Sequence, residues 1–380
     1  MSWPTTLTFD DRLQALRGEL RAWIAANDPG PRPVDFDTRV RALAVWQRQL
    51  HEAGFIGLSW PEEFGGHGLG ISGEAVLCEE LARSGMPELI NRIALYTVAP
   101  CIMRWGNEEQ KRRFFPGMLD ASEIWAQGFS EPDAGSDLAG VRTRAERGDS
   151  GFVVNGQKVW TSRALWAKWC ALLVRTSGQP GDHRGLTLVA LDMDTPGVKV
   201  QPLYQVLHEA HFGEIFLDDV WVPDADVIGD VDNGWAVAMS TMEYERGIFV
   251  LERQIGLRKR LADLAEECRK RGLGDSAAET LGTLTAQLEV LRAHTFRTLA
   301  AQEAGTNARG ATSVDKLLLT ECYQNLFTAA FDLLGGTESL GLDEWAHDLL
   351  ESRSVSIYSG TTEIQRNVVA AQLLHLPKAP

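Results

Sequence analysis

The sequence predicts an α+β protein in three consecutive parts: an N-terminal all-α domain over residues 1–120, a middle antiparallel β-barrel or sandwich over 121–230, and a C-terminal four-helix bundle over 231–380. Three observations predict it. In the first and last parts apolar residues recur at intervals of three and four, the period of a helix face. The middle part alternates in short runs broken by Gly, Pro and Asp, as half-buried strands do. At 380 residues the chain is also longer than one hydrophobic core usually supports.

Taken in order, Leu13, Leu16, Leu20 and Ile24 share one helix face, as do Leu43, Trp46 and Leu50. A turn-rich stretch, Ser59 to Gly70, separates them from helical patterns at Ala75–Arg83 and Ile93–Trp105. Within it, Gly66-His67-Gly68-Leu69-Gly70 follows Pro61-Glu62-Glu63-Phe64, not a buried strand, so a connecting loop is expected over a dinucleotide-binding turn. In the middle part Asn155-Gly156 stands between two strand-like segments and predicts a hairpin. Further strands are expected at Cys170–Arg175, Leu186–Leu191, Val198–Gln201 and His211–Val220. After Val231-Asp232-Asn233-Gly234 the helical period returns, over Trp235–Arg271, Ala277–Gly305, Ser313–Leu334, Glu344–Leu350 and from Thr362. Gly335-Gly336 and Ser359-Gly360-Thr361-Thr362 interrupt it.

Composition narrows the function. Apolar and charged fractions of 44% and 23% are those of an ordinary globular protein. A net charge of −15 argues against nucleic acid or an anionic membrane as partner, while an anionic ligand can still be met by local N–H groups. The five cysteines are scattered without a C-x-x-C, so neither zinc nor a disulfide framework is implied, and a reducing, cytoplasmic location is expected. The N-terminus lacks a signal pattern and no apolar run approaches a membrane span. The eight histidines show no ligand spacing, so no metal site is expected, and no G-x-S-x-G marks a nucleophile elbow.

Three stretches could carry chemistry. Gln127-Gly128-Phe129-Ser130-Glu131-Pro132-Asp133-Ala134-Gly135-Ser136-Asp137 is too rich in Gly, Pro, Ser and acids for a helix or strand interior. With Lys158-Val159-Trp160-Thr161-Ser162 it offers hydroxyls, free N–H groups and a flat apolar surface. That combination suits a planar, phosphate-bearing cofactor, and equally a long surface loop before an ordinary strand. Next, Trp235, Ala238, Met242, Glu245 and Phe249 share one helix face, so Glu245 sits in an apolar stripe beside Arg246. A carboxylate buried there is raised toward neutrality and can act as a base; one at the stripe's flank simply pairs with an Arg. Last, Tyr358-Ser359-Gly360-Thr361-Thr362-Glu363 could present N–H groups to an oxyanion, or Thr361 or Thr362 could cap the next helix.

These residues together resemble the acyl-CoA dehydrogenases over nearly the full length of the chain. The resemblance rests on Ser130–Asp137, Lys158–Ser162, Glu245-Arg246, Leu334-Gly335-Gly336 and Tyr358–Thr361, and on the helical, β, helical order. It implies FAD between the β domain and the C-terminal bundle. Phe129 and Ser130 then lie along the flavin's pyrimidine edge, and Gly135 and Ser136 belong to the loop near a phosphate or the thioester ligand. Trp160 packs on the isoalloxazine with Ser162 near N5, while Gly336, Thr361 and Glu363 lie near the flavin or its adenine side. Arg246 supports the acyl-CoA site, with Ser359 and Gly360 in the turn against the substrate. The implied reaction is α,β-dehydrogenation of an acyl-CoA: a base removes the α-proton, the β-hydride goes to flavin N5, and the Ser359 N–H and a ribityl hydroxyl hold the thioester carbonyl. An electron-transfer flavoprotein is the implied acceptor.

The chain departs from the family pattern twice. Many members carry the catalytic Glu immediately before the Gly-Thr of the last turn, where Ser359 stands here. A serine is no base at neutral pH without an activating partner. A minority place the base at the position of Glu245, which makes Glu245 the expected catalytic base. The Arg-x-Phe-Gly motif of homotetrameric members is also missing from Arg269–Asp275. This is similar to branches that act on bulky, steroid side-chain CoA thioesters, some as heterotetramers with a homologous chain, so homo-oligomer and heterotetramer both stand. A flavin monooxygenase on the same fold and a non-catalytic partner subunit are the competing functions; the flavin loop together with Glu245-Arg246 favours the dehydrogenase.

Overall fold

The structure, a computed structural model, describes residues 10–31, 33, 35–207, 210–304, 310–336 and 344–377, and their side chains except those of 242–247. Helices α1 (Asp11–Ala26), α2 (Phe36–Glu52), α3 (Gly70–Arg83), α4 (Ala99–Trp105) and α5 (Glu108–Leu119) come first. Strands β1 (Trp125–Gly128), β2 (Arg144–Arg147), β3 (Gly151–Ser162), β4 (Trp169–Arg175), β5 (Leu186–Asp192), β6 (Val198–Leu203), β7 (Phe212–Pro223) and β8 (Val227–Ile228) follow. Helices α6 (Gly234–Lys270), α7 (Gly274–Glu303), α8 (Ala311–Leu333), α9 (Glu344–Ser354) and α10 (Thr362–Val368) end the chain. Helix starts obey local chemistry. Asp10 accepts from Leu13 N at 2.9 Å and Asp35 from Thr38 N at 2.7 Å, while Asn107 and Gln110 close a reciprocal capping box on α5.

The chain forms two compact units interleaved in sequence: Met1–Asp28 with Leu69–Met86 and Arg246–Pro380, and Pro29–Gly68 with Pro87–Glu245. In the first, α7, α8 and the latter part of α6 share a core that includes Leu264, Leu288, Leu319 and Phe327. Here α1 packs on α3 around Glu80, whose fully buried carboxylate takes Arg17, Arg21 and Arg83, each at 2.7 Å. Burial opposes its charge, but the three guanidinium groups hold the carboxyl below the usual range.

In the second unit the eight strands run in the order β6-β7-β3-β2-β4-β5-β8, with β1 beside β4. Five pairings are antiparallel, as the alternating pattern predicts, while β1–β4 and β2–β4 are parallel. All seven residues of β4 are buried, which explains its continuous apolar run. The expected Asn-Gly hairpin is not formed. β3 continues through it as a twelve-residue strand with a register shift between Val154 and Gly156 against β7. The Asn155 amide exchanges hydrogen bonds with the Asp219 main chain and carboxylate across the ladder, at 2.8 and 3.0 Å. Gly156 lies so close to Thr143 that a Cβ would come within 2.6 Å of its hydroxyl. The pair therefore serves a bulge and a close approach, which a local turn signal cannot distinguish from a hairpin.

Candidate active site

β3 ends in a second irregularity, where the register with β7 shifts between Lys158 and Thr161. Trp160 stands inside it with φ of +58°, a conformation that costs a bulky residue energy and is kept where the surroundings require it. The bulge turns the indole outward: it is 55% exposed and touches Phe212 edge-on, at 5.8 Å between centroids. Beside it the Thr161 hydroxyl is buried with no hydrogen-bond partner among the described residues, and Ser162 is half-buried.

The loop after β1 lies along this strand end. Ser130 O accepts from Val159 N at 2.9 Å, which sets Phe129 and Ser130 next to Trp160 in the chain's hydrogen-bonding pattern. Lys158, wholly buried, donates to Phe129 O at 3.2 Å and to Glu131 at 2.9 Å. Glu131 also accepts from Arg142 N at 2.7 Å and Thr143 N at 2.8 Å, so one carboxylate ties the loop's start to its end. Arg175, at the end of β4, donates to the carbonyls of Ala139, Val141, Ser177, Asp182 and Arg184. Gly135 and Ser136 form the exposed apex between these ties.

In the other unit the last turn is equally constrained. Ser359 has φ of +52° and Gly360 +86°, and a Cβ on Gly360 would meet Gln365 Nε2 at 2.4 Å. The buried Gln365 donates to Ser359 O at 2.8 Å. Thr361 caps α10, accepting from Ile364 N at 3.2 Å, and Glu363 is exposed on that helix. Gly336 has φ of +62° in the turn after α8, near Leu334, whose carbonyl accepts from Arg271 at 2.7 Å. Glu245 and Arg246 lie in helix α6, as their spacing predicts, but their side chains fall outside the described residues. One turn later, Phe249 meets the Tyr358 ring edge-on at 5.8 Å.

The sequence reading missed the residues that hold the loop. Glu131 and Lys158 both stand in the motifs, but a pairing across 27 residues leaves no local signal. For Arg175 the signal exists: a cation closing an otherwise apolar strand must find buried acceptors. Among the described residues His347, Asp348 and Glu351 lie close enough to share a cation, but Arg260 already takes Asp348 at 2.8 Å and Arg253 takes Glu351 at 3.3 Å.

The Glu131 pair makes a pH prediction. Burial opposes the Glu131 charge, yet the Lys158 ammonium and the two N–H donors hold the carboxyl below its ordinary value of 4.5. A lowered folded pKa means stability that is complete above 4.5 and lost as pH falls through the depressed value. Acid unfolding followed by circular dichroism should therefore be less steep in Glu131→Gln than in wild type. An unchanged acid limb would remove Glu131 as its source.

Three family models match the chain in order: the acyl-CoA dehydrogenase N-terminal domain over residues 10–122, the middle domain over 126–220 and the C-terminal domain over 232–374. Acyl-CoA dehydrogenase IpdE1 of Mycobacterium tuberculosis is 36% identical, covering 96% of this chain and 98% of that one. The ChsE4-ChsE5 complex from the same organism matches with a TM-score of 0.85 and 27% identity over 98% of this chain and all of that chain. The steroid ACAD Tcur3481-Tcur3483 matches with a TM-score of 0.84 and 26% identity over 97% and 98%. The chain belongs to the acyl-CoA dehydrogenase family and is an oxidoreductase of that flavoprotein family. Among the described residues no helix is long and apolar enough to cross a membrane.

Proposed function

We propose that the protein is an FAD-dependent dehydrogenase that introduces an α,β double bond into a bulky, ring-bearing acyl-CoA. The observation that carries this reading is Trp160: an exposed indole, forced into a left-handed conformation at a strand bulge, alongside a loop tied down at both ends. Such a surface fits a flat isoalloxazine ring, and the half-buried Ser162 two residues on fits its polar edge. Phe129, Ser130, Gly135 and Ser136 line the same ligand from the loop, and Gly336, Thr361 and Glu363 take part in holding the cofactor. Bound FAD supplies the hydride acceptor.

The chain's own residues do the rest. Glu245 takes the α-proton, and Arg246 supports the acyl-CoA. Ser359, held by Gln365, donates its backbone N–H to the thioester carbonyl and so lowers the cost of the developing enolate. Ser136 steadies the thioester ligand from the loop apex, and Gly360 lets the backbone approach closely. Likeness to a steroid ACAD supports a ring-bearing substrate, and likeness to the ChsE4-ChsE5 complex supports assembly with a homologous chain over assembly with copies of itself. An electron-transfer flavoprotein receives the electrons.

The test is to purify the protein, alone and co-expressed with a homologous chain, record its flavin spectrum, and add straight-chain and ring-bearing acyl-CoA thioesters without oxygen. Bleaching by a ring-bearing thioester is expected. A protein that stays colourless in both preparations, or a flavin that no thioester bleaches, would overturn the reading.

A further inference from the structure

Among the described residues Lys316 is one of the largest fully buried side chains, 1% exposed on α8, and it has no part in the function proposed above. Its ammonium donates to Val355 O, lies 3.5 Å from the Thr320 hydroxyl, and sits 4.8 Å from the centroid of the Tyr358 ring. An ammonium has three N–H groups and no lone pair, and a carbonyl, a hydroxyl and a π face are each acceptors that suit its charged form. Burying that charge is expensive, and a methionine of similar volume would fill the space without the desolvation penalty. Packing alone therefore does not account for it.

What Lys316 touches is the start of the turn that ends at Ser359. Val355 follows directly on α9, and Ile357 N and Tyr358 N both return to Ser354 O, at 2.9 and 3.2 Å. Thr362 N reaches back to Ser356 O at 3.1 Å, and Gln365 holds Ser359 O. The turn is thus fixed at its far end by Gln365 and at its near end by a buried cation, with the left-handed Ser359 between them. The geometry points to Lys316 as a positioning residue that sets the Ser359 N–H against the thioester carbonyl, acting through Val355 and Tyr358. This rests on the function proposed above, in which Ser359 activates the thioester. A turn left to relax by a fraction of an ångström still folds but aims its N–H poorly, and misplacements of that size cost large factors in rate.

The test uses the flavin-loaded protein and acetoacetyl-CoA, whose enolate absorbs on its own and reports thioester activation without any hydride transfer. In wild type the bound ligand should enolise at lower pH than it does free in solution. In Lys316→Met the midpoint should move back up by about one unit, a tenfold loss. Turnover of a bleaching thioester should fall roughly ten- to hundredfold in kcat, with KM little changed. If Lys316→Met does not fold, Tyr358→Leu removes the ring and leaves the ammonium its carbonyl, and should shift the midpoint in the same direction. A lysine that merely stabilises the bundle would lower the melting temperature and leave the midpoint where it was; that result overturns the inference. A wild-type protein that does not acidify bound acetoacetyl-CoA overturns instead the role given to Ser359, and the inference falls with it.

Discussion

Glu245→Gln should retain bound flavin with its absorption spectrum unchanged and lose thioester-driven bleaching by about 10²- to 10⁴-fold, the usual contribution of a positioned general base. The substitution keeps the side chain's shape and removes its ability to take a proton, so a loss in the chemical step with ligand binding preserved is its specific signature. Glu245 is on α6, four residues before Phe249, which packs on the ring of Tyr358 next to Ser359. Residues four apart in a helix share a row, so the spacing alone groups Glu245 with Phe249. Glu243, two residues away, is off the three-and-four spacing that groups Glu245 with Phe249, and Glu243→Gln should bleach like wild type. Ser359→Glu sharpens the comparison. It places a carboxylate where many family members keep theirs, on a backbone already left-handed at φ +52°, and in the Glu245→Gln background it should restore part of the lost rate. Stopped-flow bleaching of each variant with a saturating thioester decides the matter. A Gln variant that bleaches at the wild-type rate would remove Glu245 as the base.

The fold was legible because its signals are local. Helix faces such as Leu13, Leu16, Leu20 and Ile24 are buried as the spacing requires, and α6, α7 and α8 begin within about three residues of where periodicity places them, the usual uncertainty of such boundaries. The hairpin expected at Asn155-Gly156 failed for an equally local reason: the dipeptide meets the need for a bulge as well as that for a turn, and only the Asp219 partner 64 residues away selects between them. The candidate site was legible in its motifs but not in its supports. Trp160 stood out in the sequence as a flat surface, while its left-handed backbone did not, since that follows from the pairing of β3 with β7. Thr361 illustrates the opposite case, for its local signal is that of a helix cap and its hydroxyl accepts the Ile364 N–H in that role, with its own O–H left to donate. Lys158, Glu131, Arg175 and Lys316 are buried charges, and what a buried charge does is settled by partners brought in by the fold.

Lys158→Met should be the most destabilising substitution in the β-sheet unit. It leaves the Glu131 carboxylate, 8% exposed, with its two N–H donors but without a counter-charge, and breaking a buried pair from one side costs about 3–5 kcal/mol. For a cooperative unit of this size that is a fall of roughly 6–20 °C in Tm. Removing the second charge as well separates two roles the pair combines. In Lys158→Met/Glu131→Gln the uncompensated charge is gone and the glutamine carbonyl can still accept from Arg142 N and Thr143 N, so most of the stability should return. The carbonyl of Phe129, however, has lost the ammonium that holds it at 3.2 Å, and nothing in the double variant replaces that donor. Flavin retention on gel filtration should therefore stay weak in the double variant although its melting temperature recovers. Recovery of both together would mean that the loop's position depends on neutralising Glu131 and not on the Lys158–Phe129 bond. A single variant that melts with wild type would show that the pair does not hold the loop at all.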